Sequence, residues 1–288
     1  MWIPLSFLYA FFDSLQNAYY KKAAVQINPI LMAWSVLVIS AICYSPLLFL
    51  GVPHLNTTFW IAVTARLFLD SIAFTLFITG VQKSPLSLTI PMTSLSPVLS
   101  IGTVFLVNHL LPSPIGFVGV LITMGGLYFL HFDHDTKHIL SPFKAVMKEK
   151  GVLYVATAAI LWSIVSAFQK LAIDNSNVYF YTAFFQLFWA ICFTPVAYFA
   201  DRKNFTALLR VKSIKLLLPA GILDAIKNIA QNAALALTIP AYVNSIGNTG
   251  ILFSSLIAAV FFKEKIEKHI VPIIIIFTGI TLIVFGQH

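Results

Sequence analysis

Ala41-Ile42-Cys43-Tyr44-Ser45-Pro46 and Ala190-Ile191-Cys192-Phe193-Thr194-Pro195 are two copies of one string, 149 positions apart. The same offset aligns Ser14 with Ser163, Ala18 with Ala167, Lys21 with Lys170, Ala23 with Ala172 and Asn28 with Asn177. Nine identities therefore fall within the 33 gapless positions from Ser14 to Pro46. Apolar composition yields scattered coincidences, but not a shared Ala-Ile-Cys-x-x-Pro string. Further along, the offset grows, pairing Leu69-Asp70 with Leu223-Asp224 at 154 and Gly126 with Gly279 at 153, as a longer loop from Asp201 to Lys215 requires.

Ten apolar stretches run through this duplication: Ile3 to Ala24, Pro29 to Leu50, Phe59 to Gly80, Leu86 to Val107, Ile115 to Phe132, Val152 to Ile173, Val178 to Ala200, Leu216 to Leu237, Tyr242 to Phe262 and Ile270 to Phe285. Each is near the roughly 20 residues that a spanning helix needs. With 59% hydrophobic residues, 10% charged and a mean hydropathy of +0.90, the chain carries more apolar surface than one soluble core buries. The expected fold is an all-α integral membrane protein of ten transmembrane helices in a lipid bilayer, with no room for a soluble catalytic domain. Five helices fall in residues 1–132 and five in 151–288, joined by a charged linker at 133–150. Five is odd, so the second half enters the membrane upside down relative to the first. Two inverted five-helix repeats are a build characteristic of secondary transporters, which hold their solute near the midplane between the halves.

The net charge of +8 is spread over short loops and not massed on a polar face, which argues against a nucleic-acid partner. Trp2 opens the first segment without a basic stretch before it, and Asp13, Gln16 and Asn17 interrupt the apolar run, so it reads as a retained helix. Cys43 and Cys192 are two mid-segment thiols with no clustered ligands beside them, and read as small packing residues. His131, His134 and His138 read as a solvated linker, without the ligand spacing of a metal site. No metal and no cofactor is expected.

Asp13, Asp70 and Asp224 lie near the middle of their stretches. A charge at that depth costs at least about 2.5 kcal/mol, so it faces a partner or a watery cavity. On the first helix Asp13, Gln16, Asn17 and Tyr20 follow an i, i+3, i+4, i+7 spacing and share one face. On the eighth, Asp224, Lys227, Asn228 and Gln231 repeat that spacing, with Asn232 beside them. Such stripes suit a cavity that offers carboxylates to an ammonium or a proton and amides for hydrogen bonds. The alternative is that Asp224 with Lys227, and Arg66 with Asp70, are ion pairs that only neutralise each other. Desolvation makes buried pairs weak sources of stability, which favours function for at least one carboxylate. Asn244 and Asn248 near Gly247 and Gly250, and Thr93 to Ser96 between Pro91 and Pro97, mark candidate helix breaks that expose backbone carbonyls, although small residues also pack helices in lipid. Trp34 and Trp162 could shape the pocket by stacking on a ring or cation.

Lys21 and Lys170 at the ends of the first helices, Pro97 late in the fourth, and Phe261-Phe262-Lys263-Glu264-Lys265 before a Gly-bearing tenth helix complete a pattern. In these features the chain resembles the drug/metabolite transporter superfamily, specifically its EamA-type ten-helix members, over nearly its full length. It departs from them at Leu111, where an acidic residue usually closes the fourth helix; Glu264 keeps that position in the second half. The resemblance implies transport, with amino acids, nucleotide sugars, S-adenosylmethionine, sugar phosphates and drugs among the superfamily's cargo, and both termini in the cytoplasm. The charges point the other way: 15 of the 18 basic residues lie by loops that follow odd-numbered helices, which the positive-inside rule assigns to the cytoplasm.

The expected activity is secondary transport by alternating access, proton-coupled or by exchange, in a cell membrane (inner or plasma), by a monomer or homodimer. The small-molecule substrate is expected to be a small polar or zwitterionic metabolite, amino-acid-like or S-adenosylmethionine-like. The rival is an intramembrane enzyme or flippase acting on a lipid-linked substrate, but no His-Glu-x-x-His, Gly-x-Ser-x-Gly or Gly-x-Gly-Asp pattern supplies the catalytic groups.

Overall fold

The computed structural model describes residues 1–23, 27–84, 86–130, 148–209, 211–250, 252–253 and 270–286, and among these no strand occurs. The main helices are α1 (Trp2–Ala23), α2 (Pro29–Tyr44), α3 (Thr57–Lys83), α4 (Leu86–Thr93), α5 (Leu95–Asn108), α6 (Pro114–Leu130), α7 (Lys150–Asp174), α8 (Val178–Ala200), α9 (Val211–Leu237), α10 (Pro240–Gly247) and α11 (Ile270–Phe285). Most of the linker with its histidines, the string Phe261 to Lys265, and the side chains of Tyr20 and Lys21 lie outside the described residues.

The duplication preserves local devices. Asn28 and Asn177, paired at the 149 offset, both start the second helix of their half by accepting a backbone N–H, from Ile30 and Phe180 respectively. Pro46 ends α2 in a 3-10 turn over Ser45–Leu50, whereas its counterpart Pro195 sits inside α8. The fourth span is broken at Ser94, between α4 and α5, and α10 gives way to a turn at Asn248 and Thr249. Ser94 and Asn248 are 154 positions apart, the same offset that pairs Asp70 with Asp224. Both breaks foreseen from Pro and Gly are therefore present, at equivalent places.

By length and apolarity, Pro29–Leu50, α3, α7 and α8 are long enough to cross a membrane, while α5, α6 and Val271–Phe285 are shorter apolar helices. The long helices α1 and α9 instead carry the two polar stripes. They pack along each other, and the repeat-equivalent pair α7 and α3 does the same. Three further contacts obey the exchange of halves: α2 on α8, α6 on α11, and α10 on α1 matching α4 and α5 on α7. The α6–α11 contact is close because glycines line it: a Cβ on Gly119 would lie 2.7 Å from the Gly279 carbonyl oxygen.

One equivalence is unequal. Along α2, α9 packs backbone-close, with Gly221 against Ile39, whereas α3 and α8 are held apart by rings: Trp60 on Phe184 (5.6 Å) and Phe74 on Phe193 (6.0 Å). The largest core cluster among the described residues gathers Trp2, Phe59, Phe180, Tyr181 and Tyr242 at the end from which α1 starts and continues along α6 and α11 to Leu130 and Ile276.

Candidate functional site

A cavity of about 700 Å³ lies in the middle of the bundle, between the halves. Its lining on α1 runs from Tyr9 to Asn17, on α2 from Ala33 to Leu37 and on α3 from Arg66 to Phe77. It therefore reaches from mid-helix toward the end at which α1 and α3 finish. The other end is sealed: Trp2 stacks on Tyr242 at 6.0 Å, Phe180 stacks on Phe184 at 5.5 Å, and Asn56 donates to Asn175 across the loops at 2.7 Å.

One wall is polar and is built where α1 meets α9. Lys227 Nζ lies 2.9 Å from Asp13 Oδ1 and 3.6 Å from Asp224 Oδ1, bridging the two helices. Asp224 is 6% exposed and accepts hydrogen bonds from Gln16 (2.9 Å), Gln186 (3.1 Å) and Asn228 (2.9 Å). Its charge is thus met by donors from α1, α8 and α9, as a buried carboxylate requires. Asp13 is more open, its side chain 30% exposed, with Asn17 as its second donor at 2.9 Å. Toward α10 an amide relay continues the wall: Gln231 donates to Asn244, which donates to Ser166 of α7 at 2.9 Å. Behind it, Gln169 donates to Asn232 and Asn232 to Thr182, tying α7, α9 and α8 together.

The opposite wall is aromatic. Phe74 and Phe77 of α3, Trp162 of α7, and Trp189 and Phe193 of α8 line it, with Phe77 and Trp162 at 5.2 Å. At the repeat offsets Asp13 corresponds to Trp162, Asn228 to Phe74 and Gln231 to Phe77. The duplicated frame has therefore been made polar on one side and aromatic on the other. Between the walls, Arg66 lies 4.0 Å over the Phe185 ring, donates to the Tyr181 hydroxyl, and places Nε 3.5 Å from Asp70. Asp70 is 6% exposed, with Trp162 beside it.

Of the residues singled out in the sequence, Asp13, Asn17, Arg66, Asp70, Trp162, Asp224, Lys227, Asn228, Gln231, Asn244 and Asn248 line this one cavity. Gln16 is fully buried behind it and holds Asp224. Trp34 is a correction: it does not line the cavity but donates its indole N–H to Thr194 at 2.9 Å and packs on Phe205 at 4.7 Å. Both proposed ion pairs exist, yet Lys227 sits closer to Asp13 than to its own-helix partner Asp224. Phe74, Phe77, Gln169, Gln186 and Tyr9 were not anticipated. Gln169 and Gln186 carried a usable signal, since amides within apolar stretches need partners in lipid. Among the described lining residues, three carboxylates face two cations, a formal excess of one acidic group.

The sequence matches the EamA-like transporter family over residues 1–132 and 149–285. A solved structure, described only as a crystal structure of a protein, matches with a TM-score of 0.77 over 99% of this chain and 97% of its own. At 13% identity that likeness carries the fold alone. No curated protein matches the sequence.

Proposed function

The chain belongs to the EamA-like transporter family, within the drug/metabolite transporter superfamily, and we propose that it moves a small polar solute bearing an ammonium group by alternating access. The observation that carries this reading is the uneven cavity, with an open carboxylate and amides on one wall and rings on the other. An ammonium pairs with Asp13, amide and hydroxyl groups of the solute meet Asn228, Gln231 and Asn244, and its apolar part lies against Phe74, Phe77 and Trp162.

The formal excess of one carboxylate over cations among the described lining residues makes the charge of the cargo matter. A monocation neutralises the cavity by itself, whereas a zwitterion, such as an amino acid, does so only together with a proton. That supports proton-coupled or exchange transport, in which a proton and a cation compete for one carboxylate. Alternating access is supported by the unequal contacts α2–α9 and α8–α3. Inverted halves that exchange these two packings would open the sealed end and close the other. The interrupted helices at Ser94 and Asn248, both on the cavity wall, are the places where such rocking can bend the chain.

The test is uptake into liposomes by the purified protein of a panel of amines, amino acids, S-adenosylmethionine, nucleotide sugars and sugar phosphates, with and without a pH gradient. Saturable uptake confined to ammonium-bearing members is expected. Uptake confined to the anionic members would overturn the reading.

A further inference from the structure

Lys227 stands out because its ammonium has the same chemistry as the group that the cavity is read to bind. It lines the cavity, and its side chain is 16% exposed. A four-carbon stem gives it reach, and an ammonium is a compact point charge that can change partner without reshaping its surroundings. Its two carboxylate partners among the described residues are unlike. Asp13 is the more open to the cavity; Asp224 also lines it but is largely buried, its oxygens already held by amides from three helices, and it lies only 3.6 Å from Nζ.

The charges of the cavity decide what this arrangement does. Asp70 has Arg66, so among the described lining residues Lys227 is the remaining cation for two carboxylates, and it occupies the more accessible of them. We propose that Lys227 is a tethered stand-in for the solute: its ammonium occupies Asp13 when the cavity is empty, and an incoming primary ammonium displaces it onto Asp224. In the loaded state each of the three described lining carboxylates then has its own cation, Arg66 on Asp70, Lys227 on Asp224 and the solute on Asp13. The required movement is small, since Nζ is already 3.6 Å from Asp224 and 2.9 Å from Asp13.

This assignment rests on the transport reading above and deepens it, because it makes the preferred cargo a monocation and gives Lys227 a role in setting affinity. A neutral solute cannot displace Lys227, and a dication would leave an excess positive charge. The same exchange opens the Lys227–Asp13 link between α1 and α9 whenever a solute binds, while Gln16 still joins α1 to Asp224, so that occupancy of the cavity is felt by a contact between the two halves.

The probe is phenylethylamine, a ring with a primary ammonium, with 2-phenylethanol as its uncharged counterpart. Binding is followed by tryptophan fluorescence in detergent, Trp162 and Trp189 being on the wall. Lys227→Met removes the competitor and is expected to tighten phenylethylamine by about tenfold, equivalent to ~1.4 kcal/mol, with no change for 2-phenylethanol. Asp224→Asn removes the alternative partner, fixes Lys227 on Asp13, and is expected to weaken phenylethylamine by about tenfold. The two variants move in opposite directions, and it is the tightening that discriminates; if Lys227→Met does not fold, Lys227→Gln, which removes the charge but keeps an amide donor, is expected to tighten phenylethylamine likewise.

A purely structural tether predicts instead that both variants weaken binding or leave it unchanged, and either result overturns the proposal. So does a lack of phenylethylamine binding by both the wild type and Lys227→Met. The outcomes separate this proposal from the transport reading. Binding with the predicted opposite shifts, but no uptake of any panel member by the wild type, would leave the Lys227 exchange standing and sink transport. Uptake of amines by the wild type with no shift in either variant would do the reverse.

Discussion

Gly279→Ala is expected to loosen the contact between α6 and α11. A Cβ on Gly279 would stand 2.5 Å from the Thr123 backbone nitrogen and 2.8 Å from the Gly119 carbonyl oxygen. Both are main-chain atoms that cannot rotate aside. Non-bonded heavy atoms are at ease near 3.5 Å, so the helices would have to part by roughly 1 Å at this point. Gly119 faces the same seam, and the separation would also disturb Val120 and Ile283, both fully buried. Overpacking of this kind costs about 1–3 kcal/mol, and the better helix propensity of alanine returns ~1 kcal/mol at most. The net expectation is a loss of ~1–2 kcal/mol and a lower unfolding midpoint in detergent. Gly125, on α6, has nothing within 4 Å of its would-be Cβ, so Gly125→Ala is expected to be neutral or slightly stabilising. Thermal unfolding of the two variants side by side is the assay. A Gly279→Ala protein as stable as the wild type, or a Gly125→Ala protein that falls equally, would refute the close packing of these helices.

Further predictions concern the cavity and its supports. Trp162→Ala is expected to weaken binding of ring-bearing solutes by about tenfold, the scale of one aromatic contact, while Trp34→Phe leaves it unchanged because Trp34 lies off the cavity; equal losses from both would contradict the placement. Asn232→Ala leaves the buried amide of Gln169 without its acceptor and is expected to lower stability by ~1–3 kcal/mol, read as an earlier melt. For orientation, the charge asymmetry predicts that a cysteine at Lys203 is shielded from an impermeant maleimide in intact cells and one at His54 is labelled, in a background lacking Cys43 and Cys192; the opposite pattern would favour cytoplasmic termini.

Much of this architecture could be read before any coordinates. The 149 and 154 offsets encoded the two halves, and the offset that pairs Asp70 with Asp224 also pairs the two helix breaks, at Ser94 and Asn248. The stripes on α1 and α9 were legible because charge in an apolar helix has few tolerable explanations. Of the aromatic wall, only Trp162 was. Phe74 and Phe77 look, in sequence, like any of the 26 phenylalanines of a membrane chain, and only the packing of α3 against α7 turns them inward. Trp34 misled for the same reason, since a mid-segment indole does not say which neighbour takes its N–H. Nor could spacing reveal that Lys227 belongs first to Asp13. An i, i+3 pair is visible along one helix, whereas a partner on another helix depends on how the bundle closes.

Asp13→Asn offers the most direct test of the account. It removes the open carboxylate and leaves Lys227 with Asp224, so the bundle should fold and melt like the wild type. Initial uptake of an ammonium-bearing solute carried by the wild-type protein in liposomes should fall by about tenfold or more, as loss of one charge-assisted contact of ~1.5–3 kcal/mol dictates. Folded Asp13→Asn protein that carries the same solute at the wild-type rate would contradict the assignment of this cavity as the transport site.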